Sequence, residues 1–314
     1  MINYIEHKNI DKEKWDSCIE KSPNSCVFVY SWYLDIACEN WTALVLNDYQ
    51  AVFPLASKSK FNTSYLYQPF FTRYFGVFSV SGSTNNLTTD FLKAIPQKYK
   101  YIEYCLKEPN DNNVYSEDSF PLLGFLQTQR KFQFLELITP YENIYKNYSV
   151  NTKRNIKKAL NAGFEIKFNV APALIVNLFK STKGKELEIF KTKDYERLQL
   201  LMNTLVNKNK AESIAVYDEK GCLSAAAFFM HSKNCFVYLK SGVTEYGKSN
   251  GAMHLVLDIF IRKYAATNQI LDFGGSSVET VARFYKNFGA KDCVYLQLKK
   301  NTLSPFAKWL SKKR

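Results

Sequence analysis

Apolar positions along the chain change period several times, and each change marks an element. Between Phe236 and Val243 apolar residues occupy both sides of the alternation, and Ser241-Gly242 bounds the run, which reads as a buried strand. The polar turn Tyr246-Gly247-Lys248-Ser249-Asn250-Gly251 follows. Ala252, Leu255, Val256, Ile259 and Phe260 then recur at helical spacing, which predicts a helix from about Ala252 to Ala265. Ile270 to Phe273 is a second short strand, stopped by Gly274-Gly275. Ser276 and Glu279 carry the capping-box signature of another helix, which ends at Gly289. Strand, glycine turn, helix, strand, helix is an α/β unit. On this reading the turn points backbone N–H groups and a helix N-terminus outward at a sheet edge, which suits an anion.

The rest of the chain is patterned in the same way. The first half predicts an edge strand over 2–7 and helices over 11–21 and 31–39, the second capped by Ser31. Strands over 42–47, 51–57, 65–67 and 75–80 follow, then a helix over 89–95 stopped by Pro96, a strand over 101–106, a loop over 108–119 and a strand over 131–138. The second half predicts helices over 141–148 and 149–162, a strand over 164–170 and a helix opened by Pro172. Residues 180–193 hold five lysines without a clean period and read as a mobile loop, followed by a helix over 195–207. A strand, turn and strand starting at Thr42, with an aromatic stretch ending in Val77, is echoed by a strand, turn and strand starting at Ser213 and by the Phe236 strand. This echo predicts two copies of one fold, 1–139 and 140–314. An unrelated α+β domain in the first half is the alternative.

Composition agrees with two packed cores: 314 residues, 46% hydrophobic and 16% aromatic. No run of eighteen apolar residues occurs, and the first fifteen residues lack the layout of a signal peptide. The seven cysteines are scattered and never spaced C-x-x-C, so they read as reduced core residues of a cytoplasmic protein. Neither they nor the three histidines suggest a metal site. Charge is uneven. Residues 1–139 hold 13 Lys and Arg against 15 Asp and Glu, whereas residues 140–314 hold 29 against 14. That concentration suggests a phosphate-rich partner such as coenzyme A, tRNA, a lipid-linked or nucleotide-linked sugar, or an anionic membrane.

Several residues could carry chemistry. Gly247 and Gly251 would let a backbone approach a phosphate, Ser249 and Asn250 would donate hydrogen bonds, and Lys248 would add a point charge. The same glycines also fit an ordinary strand-to-helix turn. Lys153, Arg154, Lys157 and Lys158 place like charges four apart on one helix, which weakens it unless an anion sits opposite. Asp272 could orient or deprotonate an amine, or else satisfy amides of the Gly274-Gly275 turn; Glu245 is the competing base. His254, Asp258 and Arg262 read as a polar outer helix face with an Asp–Arg pair. The basic tail over 299–314 reads as a docked terminal helix or a contact with an anionic membrane. No spacing suggests a serine–histidine–acid triad or a nucleophilic cysteine.

Lys248-x-x-Gly251-x-Met253, with Ala282-x-x-Tyr285-x-x-x-Gly289 behind it, resembles the acyl-CoA-binding core of the GNAT acyltransferase superfamily. Lys248 stands where that family has Gln or Arg, and Met253 where it has a small residue. The run Ser149 to Ala159 and the Asp272-Phe273-Gly274-Gly275 sequence make it similar to the double-GNAT, FemAB/FemX-like branch. The resemblance implies two tandem GNAT-like α/β (α+β) domains with mixed, mostly antiparallel sheets flanked by helices. The first would be a degenerate copy that shapes the acceptor cleft. The second would hold the acyl donor along Leu239, Ser241, Val243 and Gly247 to Ala252. A backbone N–H between Leu239 and Val243 would polarise the carbonyl, and Tyr285 would protonate the leaving group. Lys153, Arg154 and Lys157 would border the acceptor. The implied reaction is N-acyl transfer from acyl-CoA, without metal, by direct attack of an amine, either a small molecule or a cell-wall precursor. The alternatives are a FemX-like ligase using aminoacyl-tRNA on a peptidoglycan precursor, and a catalytically silent binding protein.

Overall fold

The computed structural model describes residues 1–38, 40–60, 63–82, 85–106, 120–187, 189–274 and 278–303. The expected loop over 108–119, Ser276 of the capping box and most of the basic tail lie outside these residues. The chain forms two compact units, Met1–Arg130 with Val294–Arg314, and Lys131–Cys293. The chain passes from one to the other at Arg130/Lys131 rather than near Pro140, and its C-terminal strand returns to the first.

The first unit runs β1 (Ile2–Ile5), α1 (Lys12–Lys21), α2 (Ser31–Ala37), β2 (Trp41–Leu46), β3 (Ala51–Lys60), β4 (Thr63–Leu66), β5 (Phe78–Ser79), α3 (Asn85–Lys93) and β6 (Tyr99–Leu106), with β7 (Leu126–Glu136) leading out. The Asp11 carboxylate accepts the Lys14 amide and starts α1, which buries Trp15, Cys18 and Ile19 on one side. Ser31 does not cap α2. That position belongs to Tyr30, while the Ser31 amide and hydroxyl both donate to Asp16 of α1. Trp15 of α1 packs on Trp41 at 4.8 Å between ring centroids, and Phe91 of α3 on Phe53 at 6.4 Å, which seats these helices on the sheet.

The second unit runs α4 (Tyr141–Lys146), α5 (Val150–Asn161), β8 (Glu165–Phe168), α6 (Pro172–Phe179), α7 (Lys185–Leu187), α8 (Thr192–Asn207), β9 (Ala211–Tyr217), β10 (Leu223–Ser232), β11 (Cys235–Val243), α9 (Glu245–Ser249), α10 (Ala252–Tyr264), β12 (Ile270–Gly274) and α11 (Glu279–Lys286), before β13 (Lys291–Asn301). Where a mobile loop was expected over 180–193, a π turn over Lys180–Gly184 joins α6 to α7. The Thr182 hydroxyl donates to the Leu178 carbonyl, and Gly184 is buried so close to Tyr195 that a Cβ would stand 2.6 Å from the phenol oxygen. A π register has no simple apolar period, so lysine content alone misled the reading.

Strand order in the first unit is β1-β2-β3-β4-β6-β13, with β5 on β3; in the second it is β8-β9-β10-β11-β12-β7. Within these two orders the pairs are antiparallel except β4 with β6 and β11 with β12. In the second unit α10 lies over one sheet face, its Phe260 ring stacked on Phe229 at 3.7 Å. The opposite face takes α6, whose backbone approaches Gly242 so closely that a Cβ there would stand 2.6 Å from Leu178 Cγ. Both layers lean on β11, and β11 carries the site.

Candidate functional site

β10 and β11 keep register from Ser232 opposite Cys235 to Phe229 opposite Tyr238, and again from Phe228 opposite Lys240 to Ala225 opposite Val243. Leu239 has no residue opposite it, so β11 is bulged there. On its other edge β11 pairs with β12 only from Cys235 to Val237 and then parts from it. The extra residue reverses the alternation. Phe236 and Tyr238 face the α10 core, whereas Lys240 and Gly242 face α6, with the Lys240 ammonium 4.8 Å from the Phe179 ring and 5.4 Å from Phe190. A bulge at the point where two parallel strands separate takes one peptide out of the regular ladder.

Tyr285 of α11 is brought beside this point. Its ring stacks on Phe273 at 4.8 Å and meets Tyr238 edge-on at 6.0 Å. Tyr238 is buried; its hydroxyl donates to Met253 Sδ at 3.3 Å and lies within hydrogen-bonding reach of Ser241. Burial raises its phenol pKa well above the usual tyrosine range. Leu239, Ser241 and Val243 share β11 with the bulge, and Tyr285 packs against Tyr238, the residue before it. The sequence reading passed over Tyr238, because a tyrosine inside an apolar strand carries no signal of its own.

The glycine turn is built differently from the expectation. Thr244 caps α9 by accepting the Gly247 amide, and the Lys248 amide donates to the Thr244 carbonyl at 2.8 Å. The Asn250 amide donates to Tyr246 O at 3.0 Å and the Gly251 amide to Lys248 O at 3.3 Å. A Cβ on Gly247 would stand 2.2 Å from the Ser224 carbonyl oxygen, and one on Gly251, at φ +72°, 2.3 Å from the Asn155 carbonyl oxygen. These glycines admit neighbouring backbone, from β10 and from α5. Four of the amides expected to face a ligand thus donate within the fold, and the turn is a packed corner. Just beyond it Ala252 is buried and Met253 nearly so, while His254 sits between Phe284 at 4.9 Å and Phe288 at 5.9 Å, its pKa lowered to about 4 by burial.

The candidate bases are separated. The buried Asp272 carboxylate accepts the Gly274 amide at 2.8 Å and so shapes the end of β12. Glu245 is exposed on α9, paired with Lys248 at 2.6 Å. Ser249 and Asn250 close the same helix, the Asn250 side chain donating to Tyr246 O at 3.0 Å. On α5, Lys153 donates to the Lys146 carbonyl at 3.0 Å and lies 5.2 Å from the Tyr145 ring; Arg154 donates to Asn151 Oδ1 at 2.8 Å; Lys157 is exposed. His254 and Asp258 do not form an outer polar face. Asp258 is buried and accepts the Tyr141 hydroxyl at 2.8 Å, and the Arg262 guanidinium stacks on that tyrosine ring at 4.0 Å. Among the described residues no group of three His, Cys, Asp or Glu could hold a metal, and no helix is long and apolar enough to cross a membrane.

No protein-family model and no curated protein matches this sequence. Solved structures do. FemX is similar at a TM-score of 0.65 with 14% identity, covering 99% of this chain and all (100%) of that one. L-PGS from Bacillus licheniformis gives 0.57 with 11% identity, over 96% and 95% of the two chains. A tandem GNAT protein from the clavulanic acid biosynthesis pathway gives 0.54 with 10% identity, over 97% and 99%. At such identities the likeness concerns architecture. Together with the matching strand order of the two units, each with one parallel pair, it shows that this chain has the tandem-GNAT, FemX-like fold.

Proposed function

We propose that the chain transfers an acyl or aminoacyl group from an activated donor to an amine, within its second unit and without a covalent enzyme intermediate. The observation that carries this reading is the Leu239 bulge where β11 leaves β12. A peptide N–H released there would hydrogen-bond a carbonyl oxygen as it becomes an oxyanion, worth more in the transition state than in the bound donor. The amine nitrogen bonds to the carbonyl carbon and gives up one proton to water, the bond to the leaving sulfur or oxygen breaks, and a proton passes to that atom, so that none is gained or lost overall. Tyr285 packs against Tyr238, the residue before the bulge, and is the candidate donor of that proton. Asp272 acts indirectly, by fixing the Gly274 peptide.

Two donor classes suit this chemistry, acyl-CoA and aminoacyl-tRNA. Coenzyme A would need phosphate-binding amides at the glycine turn, and four of those already donate internally. That observation, with 29 basic against 14 acidic residues after position 139, favours the aminoacyl-tRNA donor. The test is transfer of a labelled group from acetyl-CoA and from charged tRNA to a panel of amines, with Leu239→Pro as the deciding variant. Removing the Leu239 N–H should lower kcat by about 10²- to 10³-fold with KM little changed. Full turnover by a variant that keeps its circular dichroism spectrum would end the proposal.

A further inference from the structure

Several lysines outside α5 sit opposite a carboxylate: Lys12 on Asp35, Lys14 on Asp48, Lys248 on Glu245, Lys263 on Glu212, Lys286 on Asp292 and Lys291 on Glu136 all lie within 2.7 Å. α5 differs in gathering its cations on one helix. Its sequence, VNTKRNIKKALN, contains four basic residues and no acid. Among the described residues no carboxylate pairs with Lys153, Arg154, Lys157 or Lys158, nor with Lys146 at the end of α4, and Glu142, one turn before Lys146, is exposed without reaching them. Thr152, Ile156 and Ala159 turn the other side of α5 into the core. The outward half therefore holds like charges three and four apart, which oppose one another on a bare helix.

The same outward half also presents aliphatics. Val150 is 85% exposed, and by helical geometry it lies between Arg154 and Lys157; Leu160 is 62% exposed at the margin. A nucleic-acid backbone satisfies lysine and arginine but has no use for a protruding valine and leucine. A bilayer surface uses both, since headgroup phosphates take the cations and aliphatic side chains enter the boundary beneath them. We infer that the outward face of α5 is a docking surface for an anionic lipid membrane. Binding of this kind is electrostatic in origin, reversible and salt-sensitive. It stands apart from the transfer reaction, because it requires no turnover and no donor.

The test is cosedimentation of the full chain with vesicles of phosphatidylcholine alone and of two parts phosphatidylcholine to one part phosphatidylglycerol. Binding should appear only with phosphatidylglycerol and fade between about 0.1 M and about 0.5 M salt. The triple variant Arg154→Gln, Lys157→Gln, Lys158→Gln should lose about a hundredfold in partitioning, roughly fivefold per cation. Val150→Ser should weaken vesicle binding a few-fold further. Lys14→Gln, which removes a cation already neutralised by Asp48, should change nothing. All these positions are exposed, and circular dichroism checks that each variant keeps its helices. Absence of phosphatidylglycerol-dependent binding, or wild-type binding by the triple variant, would overturn the inference. So would tRNA binding that depends on the same three cations while vesicles are ignored. Loss of transferase activity with vesicle binding intact would instead count against the proposed reaction alone.

Discussion

Gly251 and Gly221 share a left-handed backbone, at φ +72° and +74°, yet what surrounds them differs. Nothing lies within 4 Å of a Cβ built on Gly221, so Gly221→Ala should cost only the backbone term of about 1–2 kcal/mol. At Gly251 the new carbon would meet the Asn155 carbonyl at 2.3 Å, and α5 or α10 would have to move. Gly251→Ala should therefore cost about 2–4 kcal/mol, and urea melts of the two variants side by side would check the difference. Equal losses would mean that the turn is not packed against α5. His254 gives the residue scale a pH dependence. Its pKa is lowered from 6.5 to about 4 by burial, so the unfolded chain takes up a proton that the folded chain refuses. Stability present above about pH 6.5 is thus lost as pH falls toward about 4, by on the order of 3 kcal/mol. His254→Phe should flatten this slope, read as a smaller drop in urea midpoint between about pH 7 and about pH 4.5. A drop as large as the wild type's would assign the acid loss to other groups.

Among elements, α4 and α10 are joined by one buried carboxylate. Asp258 accepts the Tyr141 hydroxyl at 2.8 Å, and burial raises its pKa above the usual aspartate range. Tyr141→Phe would leave that oxygen short of a donor in the interior and should cost about 1–3 kcal/mol; Asp258→Asn, which keeps an acceptor, should cost less. Thermal melts of the two would decide, and a harmless Tyr141→Phe would show that packing alone holds α4. This contact also shows where reading the sequence stops. The strand at Phe236, the helix at Ala252 and the strand at Ile270 were legible because each is a bounded apolar run or carries a helical apolar period, and β11, α10 and β12 begin within a residue of the expected positions. Periodicity assigns a face to apolar residues only. Asp258 and His254 are polar, so they read as outward, although α4 and α11 cover them. The corner before α10 read as an open loop because Gly247 and Gly251 looked like ligand contacts; Thr244, whose hydroxyl caps α9, was the available sign that the segment is helical. The Leu239 bulge left no trace, since an extra residue in one strand is visible only against its partner.

At the scale of the molecule, the strands of each unit repeat one plan of three antiparallel pairs, a parallel pair and an antiparallel pair, and the repeat was legible in the order of strands and turns from Thr42 and from Ser213. What was not legible is which strand completes each plan. β7 follows the strands of the first unit but pairs with β12, while β13 follows those of the second unit but pairs with β6, Leu296 opposite Leu106 through Asn301 opposite Tyr101. Alternation identifies a strand without naming its neighbour, so a boundary near Pro140 left the C-terminal strand with the wrong unit. The assignment has a mechanical consequence. Leu298 is buried opposite Tyr104 of β6, far from it in sequence. Leu298→Ala should destabilise by about 2–5 kcal/mol, and the loss should be local to the unit that β13 completes. Hydrogen exchange resolved along the chain would show it: amides of β6 and β3 should exchange faster, while those of β10 and β11 keep their wild-type protection. Faster exchange in β10 and β11 with β6 unchanged would return the C-terminal strand to the second unit and break the symmetry of the two plans.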